Sequence, residues 1–406
     1  YLLIIYADYS ICKFYLKYLI MFTRYFHLED ELEASAFLFG ARQTGKTTLL
    51  LQQFPHAEYI DLLDSLTLRK FSNRPETLYE MYKDCDNSTI IIIDEIQQVP
   101  LLLNEVHRLI FQKGIHFILC GSSARKLRRK GYNTLGGRAL PCYLYPLVSA
   151  EIPDFDIDRA LNNGMLPAYY TSKNAYKNLA GYLDIYLRQE IKEEALVRNL
   201  TNFQRFLDAA ALTDGELVNY NNIATDCGVS ANTVKEYFSI LEDTLLGYMV
   251  PAFTKKIKRR LMQSPKFYFF DVGITNYLLH RKEVVRGTTE YGHAFEHFVM
   301  QELIAYIGYT RNENRLSYWR TKNGVEVDVI IGHALLGGAK LAIEIKSTED
   351  VQNKHLKGLR TFADEHPDCR RLIVSLDRFT RRTDDNIEIV YIYDFLQELW
   401  SGKLFR

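Results

Sequence analysis

Apolar and polar positions along this 406-residue chain change their period several times. Ala36-Phe37-Leu38-Phe39, Ile90-Ile91-Ile92-Ile93 and His116-Phe117-Ile118-Leu119-Cys120 are short apolar runs without alternation. Such runs read as strands covered on both faces, as in a parallel sheet flanked by helices. From Asp154 to about Leu212 the period lengthens. Tyr182-Leu183-Asp184-Ile185-Tyr186-Leu187-Arg188 and Phe203-Gln204-Arg205-Phe206-Leu207 put apolar residues at helical spacing, which predicts a helical lid or connector. Asn222 to Tyr237 reads as a short helix, a turn at Gly228 and a second helix capped by Ser230. Ile223, Ala224, Val229, Val234 and Ile240 fall where two such helices pack. Further on, Val325 to Ile331 alternates, Gly332 to Gly338 turns, and Leu341 to Lys346 alternates again, which predicts a hairpin.

At roughly 100–200 residues per domain, the length predicts two to four domains. With 47% hydrophobic and 25% charged residues, 22 Gly and 10 Pro, the chain is neither collagenous nor largely disordered. Fifty basic residues balance fifty acidic ones, so any nucleic-acid contact must come from local patches. Cys12, Cys85, Cys120, Cys142, Cys227 and Cys369 form no CxxC pair. That excludes a zinc ribbon or disulfide scaffold and fits a reducing cytoplasm. The apolar stretch Tyr1 to Phe22 carries Asp8, Lys13 and Lys17, which argues against a membrane span, and no basic region precedes it as in a signal peptide. The sequence opens on Tyr1. Met21, just before the first strand pattern, is the expected start, with residues 1–20 as upstream sequence.

Gly40-Ala41-Arg42-Gln43-Thr44-Gly45-Lys46-Thr47 is a complete GxxxxGK[ST] between a strand and a helix that begins near Thr48. Backbone N–H groups of such a loop, together with a helix N-terminus, cradle phosphates. Lys46 would reach the β- and γ-phosphates, and Thr47 would ligate Mg²⁺. The run at 90–93 ends in Asp94-Glu95, where carboxylates of a parallel sheet face a ligand. Asp94 is then a Mg²⁺ group and Glu95 the base that polarises an attacking water. Ser122 or Ser123, after the third strand, fits a γ-phosphate sensor or a plain turn. Arg138 after Gly136-Gly137 fits an arginine finger reaching a neighbouring copy, or a surface arginine.

Here the chain resembles a known family. GARQTGKTTLL, IIIIDEIQQVP, ILCGSSARKL and LGGRALPCYLYPLVSAEI, in that order, are similar to bacterial and archaeal AAA+-like ATPases followed by the domain of unknown function DUF4143. The resemblance covers about residues 21–400. It implies an additional-strand ATPase core with Glu95 catalytic.

In the middle, the helix pair followed by Lys255-Lys256-Ile257-Lys258-Arg259-Arg260 predicts a winged helix, with Asn232, Thr233 and Lys235 toward duplex DNA and Lys255, Lys256 and Lys258 toward phosphates. Winged helices also dock proteins, and Arg125 to Lys130 fits the same basic surface or an exposed helix face.

Near the end, Glu344 and Lys346 share one strand face and Glu326 and Asp328 share another. Acids on a half-buried strand pair can hold Mg²⁺, and a lysine beside them can activate its water. This segment resembles the PD-(D/E)xK nucleases. Asp328 matches their first metal ligand, Glu344 and Lys346 their ExK, and Glu296 the preceding helical acid. A strand pair joined by an Asp328–Lys346 salt bridge would give the same letters.

Together these readings predict an α/β chain. A P-loop core at 21–152 is followed by a helical connector at 153–212, a winged helix at 213–265 and a restriction-endonuclease-like domain at 266–406. The expected cofactors are ATP and Mg²⁺, the expected partner is double-stranded DNA, and the expected location is cytoplasmic. Membrane contact is not expected; Arg138 acting in trans would require a homo-oligomer, and the sequence leaves the oligomeric state open. The expected function is ATP hydrolysis coupled to a DNA-facing module. A metal-dependent endonuclease regulated by its ATPase, or a non-cleaving nucleotide switch that docks proteins, are the alternatives.

Overall fold

Three of the apolar runs become neighbours in one sheet. The computed structural model describes residues 22–31, 34–121, 135–183, 199–254, 263–335 and 337–405. Strands β1 (Ser35–Phe39), β2 (Glu58–Asp61), β3 (Ile90–Asp94), β4 (His116–Gly121) and β5 (Ala139–Tyr143) are all parallel, in the order β2-β3-β4-β1-β5. The central strands β1, β3 and β4 are buried nearly throughout, as unbroken apolar runs require. Strand β4 lies between β1 and β3, the additional strand that the resemblance implies.

Helix α1 (Lys46–Gln53) follows β1 directly and buries Leu49 and Leu50. Helix α2 (Leu102–Lys113) covers the sheet with Leu102, Leu103, Val106 and Leu109 at helical spacing. It stops at Gly114, whose φ of 69° a side chain would resist.

Short helices at Ile157–Asn163, Pro167–Tyr170 and Ala175–Gly181 lead into α3 (Leu200–Leu212), α4 (Tyr220–Cys227) and α5 (Ala231–Asp243). Asn219 and Ser230 cap α4 and α5 through their side-chain oxygens, and Gly228 closes α4 in the left-handed region. Ile223, Ala224, Val234 and Ile240 are buried between the helices as expected, while Val229 is half-buried. Strands β6 (Gly247–Val250) and β7 (Lys266–Phe269) then pair antiparallel.

Helix α6 (Thr289–Thr310) buries Phe298, Val299, Met300, Gln301, Glu302 and Leu303 in succession, so it is covered on every side. It packs between the two larger sheets. Ala36 and Leu38 of β1, Phe295, Phe298 and Leu303 of α6, and Ile343 and Val374 beyond it belong to one apolar cluster.

The second sheet comprises β8 (Arg315–Arg320), β9 (Glu326–His333), β10 (Gly338–Lys346), β11 (Arg370–Ser375), β12 (Arg381–Arg382) and β13 (Ile387–Tyr391), ordered β12-β13-β11-β10-β9-β8. Pairs β8–β9 and β9–β10 are antiparallel, while β10–β11 and β11–β13 are parallel. The predicted hairpin is present, but Val327 to Gly332 are buried without alternation. Two helices account for this. Helix α6 shares a core with Val329 and Ile331, and α7 (Lys357–Glu365) shares another with Val327, Ile330 and Ala342. Helix α8 (Ile392–Trp400) follows β13, and a short 3-10 turn at Lys403–Phe405 comes after it.

A buried carboxylate joins these parts. Glu302 of α6 accepts hydrogen bonds from the Ser149 N–H and hydroxyl at 2.8 Å and from Trp400 Nε1 at 2.5 Å. Burial pushes its carboxyl up to about 7 against those donors. Among the described residues, no helix is long and apolar enough to cross a membrane.

Candidate nucleotide site and C-terminal charge cluster

Parallel strands bring the Gly40–Thr47 loop after β1 and the Asp94-Glu95 pair after β3 to the same edge of the sheet. Two glycines are required by geometry. A Cβ on Gly40 would lie 2.6 Å from the Leu144 carbonyl oxygen, and Gly45 sits at φ 95°. Gln43 also adopts a positive φ of 58°. Alternation of this kind turns successive N–H groups toward one side, forming an anion cradle.

Lys46 is buried and donates to the carbonyl oxygens of Gly40 at 2.8 Å and Ala41 at 3.1 Å. The Thr44 hydroxyl donates to Ala41 O at 2.7 Å. Arg42 and Gln43 meet the helical connector, where Tyr182 OH lies 3.5 Å from Arg42 O and Tyr169 OH donates to Gln43 Oε1 at 2.5 Å. Thr48 sits in the first turn of α1.

Asp94 Oδ2 accepts from Thr47 Oγ1 at 3.0 Å and from Tyr59 OH at 2.5 Å, and its other oxygen accepts from the Glu95 N–H at 3.0 Å. Burial and then Asp94 push the Tyr59 hydroxyl upward, so it stays a donor. Glu95 adopts a left-handed backbone, φ 56° and ψ 43°, and accepts a short hydrogen bond from Gln97 Nε2. Burial raises its carboxyl pKa, with Lys46 opposing and Asp94 adding to the shift. Thr47 and Asp94, hydrogen-bonded hydroxyl to carboxylate, are a donor set that fits Mg²⁺.

The structure thus gathers Lys46, Thr47, Asp94 and Glu95. Arg138 stands apart, exposed, just before β5. Ser122 lies outside the described residues, as do Lys255, Lys256 and Lys258. On α5, Asn232 and Lys235 are exposed, with the Lys235 ammonium 5.4 Å from the Tyr220 ring. Thr233 is partly engaged by its own cap. Its N–H donates to Ser230 Oγ at 3.1 Å.

The C-terminal acids form a second cluster. The Ile343–Val329 pairing of β10 with β9 brings Glu344 beside Asp328. Lys346 Nζ lies 2.7 Å from Glu344 Oε1 and 3.2 Å from Asp328 Oδ2, which also accepts the Ile345 N–H at 2.8 Å. Glu296 comes from α6, but its Oε1 accepts from Tyr268 OH at 2.7 Å and Lys266 Nζ at 3.3 Å. Lys266 also lies 2.6 Å from Glu326 Oε1, and Arg320 pairs with the other Glu326 oxygen at 3.2 Å. The predicted four residues therefore fall into two linked groups, each holding a lysine.

Burial, then Asp328, pushes the Glu344 carboxyl up to about 8, and burial, then Glu296, raises Asp328. Both lysines are held above their usual range by these acids although burial opposes it. Glu344 Oε2 is buried without a hydrogen-bond partner and faces Gly358 of α7. Among the described residues, no three His, Cys, Asp or Glu side chains form a group that could hold a metal ion. Asp328 and Glu344 are held by Lys346, as the salt-bridged reading of this strand pair requires, and Glu296 is held by Lys266 and Tyr268.

Sequence reasoning missed Tyr59, Gln97, Lys266 and Tyr268. Tyr59 and Gln97 carry no spacing signature. Lys266 had one, as a lysine opening the apolar run Phe267-Tyr268-Phe269-Phe270.

A family model described as an AAA domain matches residues 33–152, one for a domain of unknown function (DUF8612) matches 154–284, and one for a domain of unknown function (DUF4143) matches 291–395. The AAA match spans the phosphate loop and the Asp94-Glu95 strand end, and supports ATP binding and hydrolysis by this part of the chain. Uncharacterized proteins Rv2008c of Mycobacterium tuberculosis and Mb2031c of Mycobacterium bovis are each 26% identical over 322 residues, covering 77% of this chain and 70% of theirs. Uncharacterized protein MJ1637 of Methanocaldococcus jannaschii is 22% identical over 386 residues, covering 82% and 80%. Among solved structures, the Aeropyrum pernix ORC1 protein in complex with DNA aligns at 14% identity and TM-score 0.25, over 63% of this chain and 92% of that one. The signal transduction ATPase with numerous domains PH0952 of Pyrococcus horikoshii, which has a tetratricopeptide repeat sensor, aligns at 14% identity and TM-score 0.22, over 70% and 49%.

Proposed function

We propose that this chain hydrolyses ATP at the loop after β1 and couples turnover to a DNA-facing winged helix and a nuclease-like C-terminal unit. One observation carries the proposal: Lys46, Thr47, Asp94 and Glu95 converge at the C-terminal ends of β1 and β3, two strands of one parallel sheet with β4 between them. Lys46 would exchange its loop carbonyls for β- and γ-phosphate oxygens. Mg²⁺ held by Thr47 and Asp94 would offset charge developing on the phosphates. Glu95, its pKa raised by burial and its carboxylate fixed by Gln97, would accept the proton of the attacking water. Tyr59 would keep Asp94 turned toward Thr47. Arg138 is exposed as a trans finger requires, and would act only between copies of the chain.

The experiment is ATP turnover with and without duplex DNA across a salt series. Stimulation by DNA that fades as salt rises is expected; DNA-independent turnover at every salt concentration would remove the coupling. Lys255→Ala, in the basic run expected at phosphates, should weaken duplex binding at all sequences and reduce the salt slope by about one. An unchanged slope would take Lys255 off the DNA surface.

A second reading, a metal-dependent endonuclease, draws on the unpartnered Glu344 Oε2 beside Asp328 and Lys346. Asp328 and Glu344 would be the metal ligands, and Glu296 would join them only by leaving Lys266 and Tyr268. Supercoiled plasmid with Mg²⁺ or Mn²⁺ tests it. Nicking that disappears in Glu344→Ala, with ATP turnover retained, is the expected result under this reading. Plasmid bound but uncut under all conditions would leave a domain that only binds.

A further inference from the structure

Arg24 lies upstream of β1 and of the residues matched by the AAA domain, yet it is only 6% exposed and touches the phosphate loop. Its Nη1 donates to the Thr44 carbonyl oxygen at 2.6 Å. Its Nη2 donates to Tyr145 O at 2.8 Å, and to Pro146 O and Tyr309 OH at 3.3 Å each. Its Nε lies 2.9 Å from Glu151 Oε2. Glu151 is fixed in turn, accepting from the Tyr25 N–H at 2.7 Å and the Val148 N–H at 3.1 Å.

Peptide geometry gives the Thr44 contact a consequence. In a trans peptide the C=O and the following N–H point in opposite directions, and no peptide bond among the described residues is cis. Holding the Thr44 carbonyl outward therefore turns the Gly45 N–H to the opposite side, into the cradle. Gly45 agrees with this: a Cβ there would lie 3.4 Å from Arg24 Nη1 and 3.9 Å from Pro167 Cγ, on the outer side of the loop.

We propose that Arg24 is a positioning residue for nucleotide binding. It holds the Thr44–Gly45 peptide with its N–H toward the phosphates, and Glu151 and Tyr309 serve as its anchors. This rests on the ATPase reading. A guanidinium suits the task because its planar fork reaches the loop, the 145–146 turn and α6 at once; an ammonium has three donors and no fork. Tyr309 lies in the last turn of α6, so the same arginine joins the phosphate loop to the helix that carries Glu296.

The test uses the full chain with a fluorescent ATP analogue and Mg²⁺, together with steady-state ATP turnover and thermal melting without nucleotide. Arg24→Gln should weaken nucleotide binding by about tenfold to a hundredfold, the loss expected of a charge-assisted hydrogen bond. Arg24→Lys should recover part of that loss, and Tyr309→Phe should raise KM severalfold. A purely structural role would instead lower the melting temperature while the folded fraction kept wild-type affinity, and would overturn the proposal. If Arg24→Gln does not fold, wild-type affinity in both Arg24→Lys and Tyr309→Phe overturns it equally. A wild-type chain that binds no nucleotide removes the ATPase reading and this proposal with it. Binding by the wild type matched by Arg24→Gln removes Arg24 alone.

Discussion

Glu95→Gln is expected to bind ATP like the wild type and to release phosphate about 10²- to 10⁴-fold more slowly, the range typical of a lost general base. Glutamine keeps the size and the hydrogen bonding that the left-handed backbone at this position presents, but cannot accept a proton. Lys46→Ala should differ in kind. It removes the ammonium buried beneath the Gly40 and Ala41 carbonyls and should abolish binding itself. Phosphate release and titration with a fluorescent ATP analogue separate the two effects. Unchanged turnover in either variant would refute its assignment. The pH profile gives a further check. A base must be deprotonated to act, and burial raises Glu95 above the ordinary 4.5, so turnover should fall on the acid side at a pH above that value. That limb should be missing from whatever activity Glu95→Gln retains.

What could be read in the sequence follows from where the chemistry sits along the chain. A phosphate cradle needs consecutive N–H groups, so Gly40 to Thr47 had to be contiguous and were legible. Asp94-Glu95 were legible because a buried parallel strand ends where its ligand binds. The alternation that put Glu344 and Lys346 on one strand face survives in their contact at 2.7 Å. Contacts made only through space left no such trace. Tyr59 reaches Asp94 across neighbouring strands, and Arg24 reaches Thr44 from a segment with no pattern of its own. Glu296 lies on a helix as the sequence suggests, yet its partners Lys266 and Tyr268 come from β7, which pairs with β6 and not with the six-stranded sheet. No periodicity in the sequence reports that kind of convergence. The continuous burial of β9 was hidden for a related reason: alternating letters cannot announce that helices will cover both faces.

Asp214→Asn and His297→Gln are expected to destabilise the fold by about 3–5 kcal/mol each, the usual cost of leaving one partner of a buried ion pair alone. His297, on α6, lies at the junction of the middle and C-terminal parts. Its Nδ1 is 2.8 Å from Asp214 Oδ2, and its Nε2 is 2.8 Å from the Phe269 carbonyl oxygen. Thr275 Oγ1 lies 3.5 Å from Nδ1 and is also 3.4 Å from Asp214 Oδ1, to which its hydroxyl can turn. With acceptors at both ring nitrogens, the imidazole must donate from both, which only the imidazolium can do. Burial lowers the pKa of the ring, but Asp214, with Asp271 nearby, outweighs it and the net shift is upward. The sign of the pH dependence follows. A group that binds its proton more tightly when folded contributes full stability below its unfolded pKa of about 6.5 and loses that contribution as pH rises through the higher folded value. Urea denaturation from about pH 6 to about pH 9 should therefore show wild-type stability falling toward alkaline pH, and a shallower slope in His297→Gln. Equal slopes would mean that His297 is neutral in the fold, and that the Asp214 contact is an ordinary hydrogen bond.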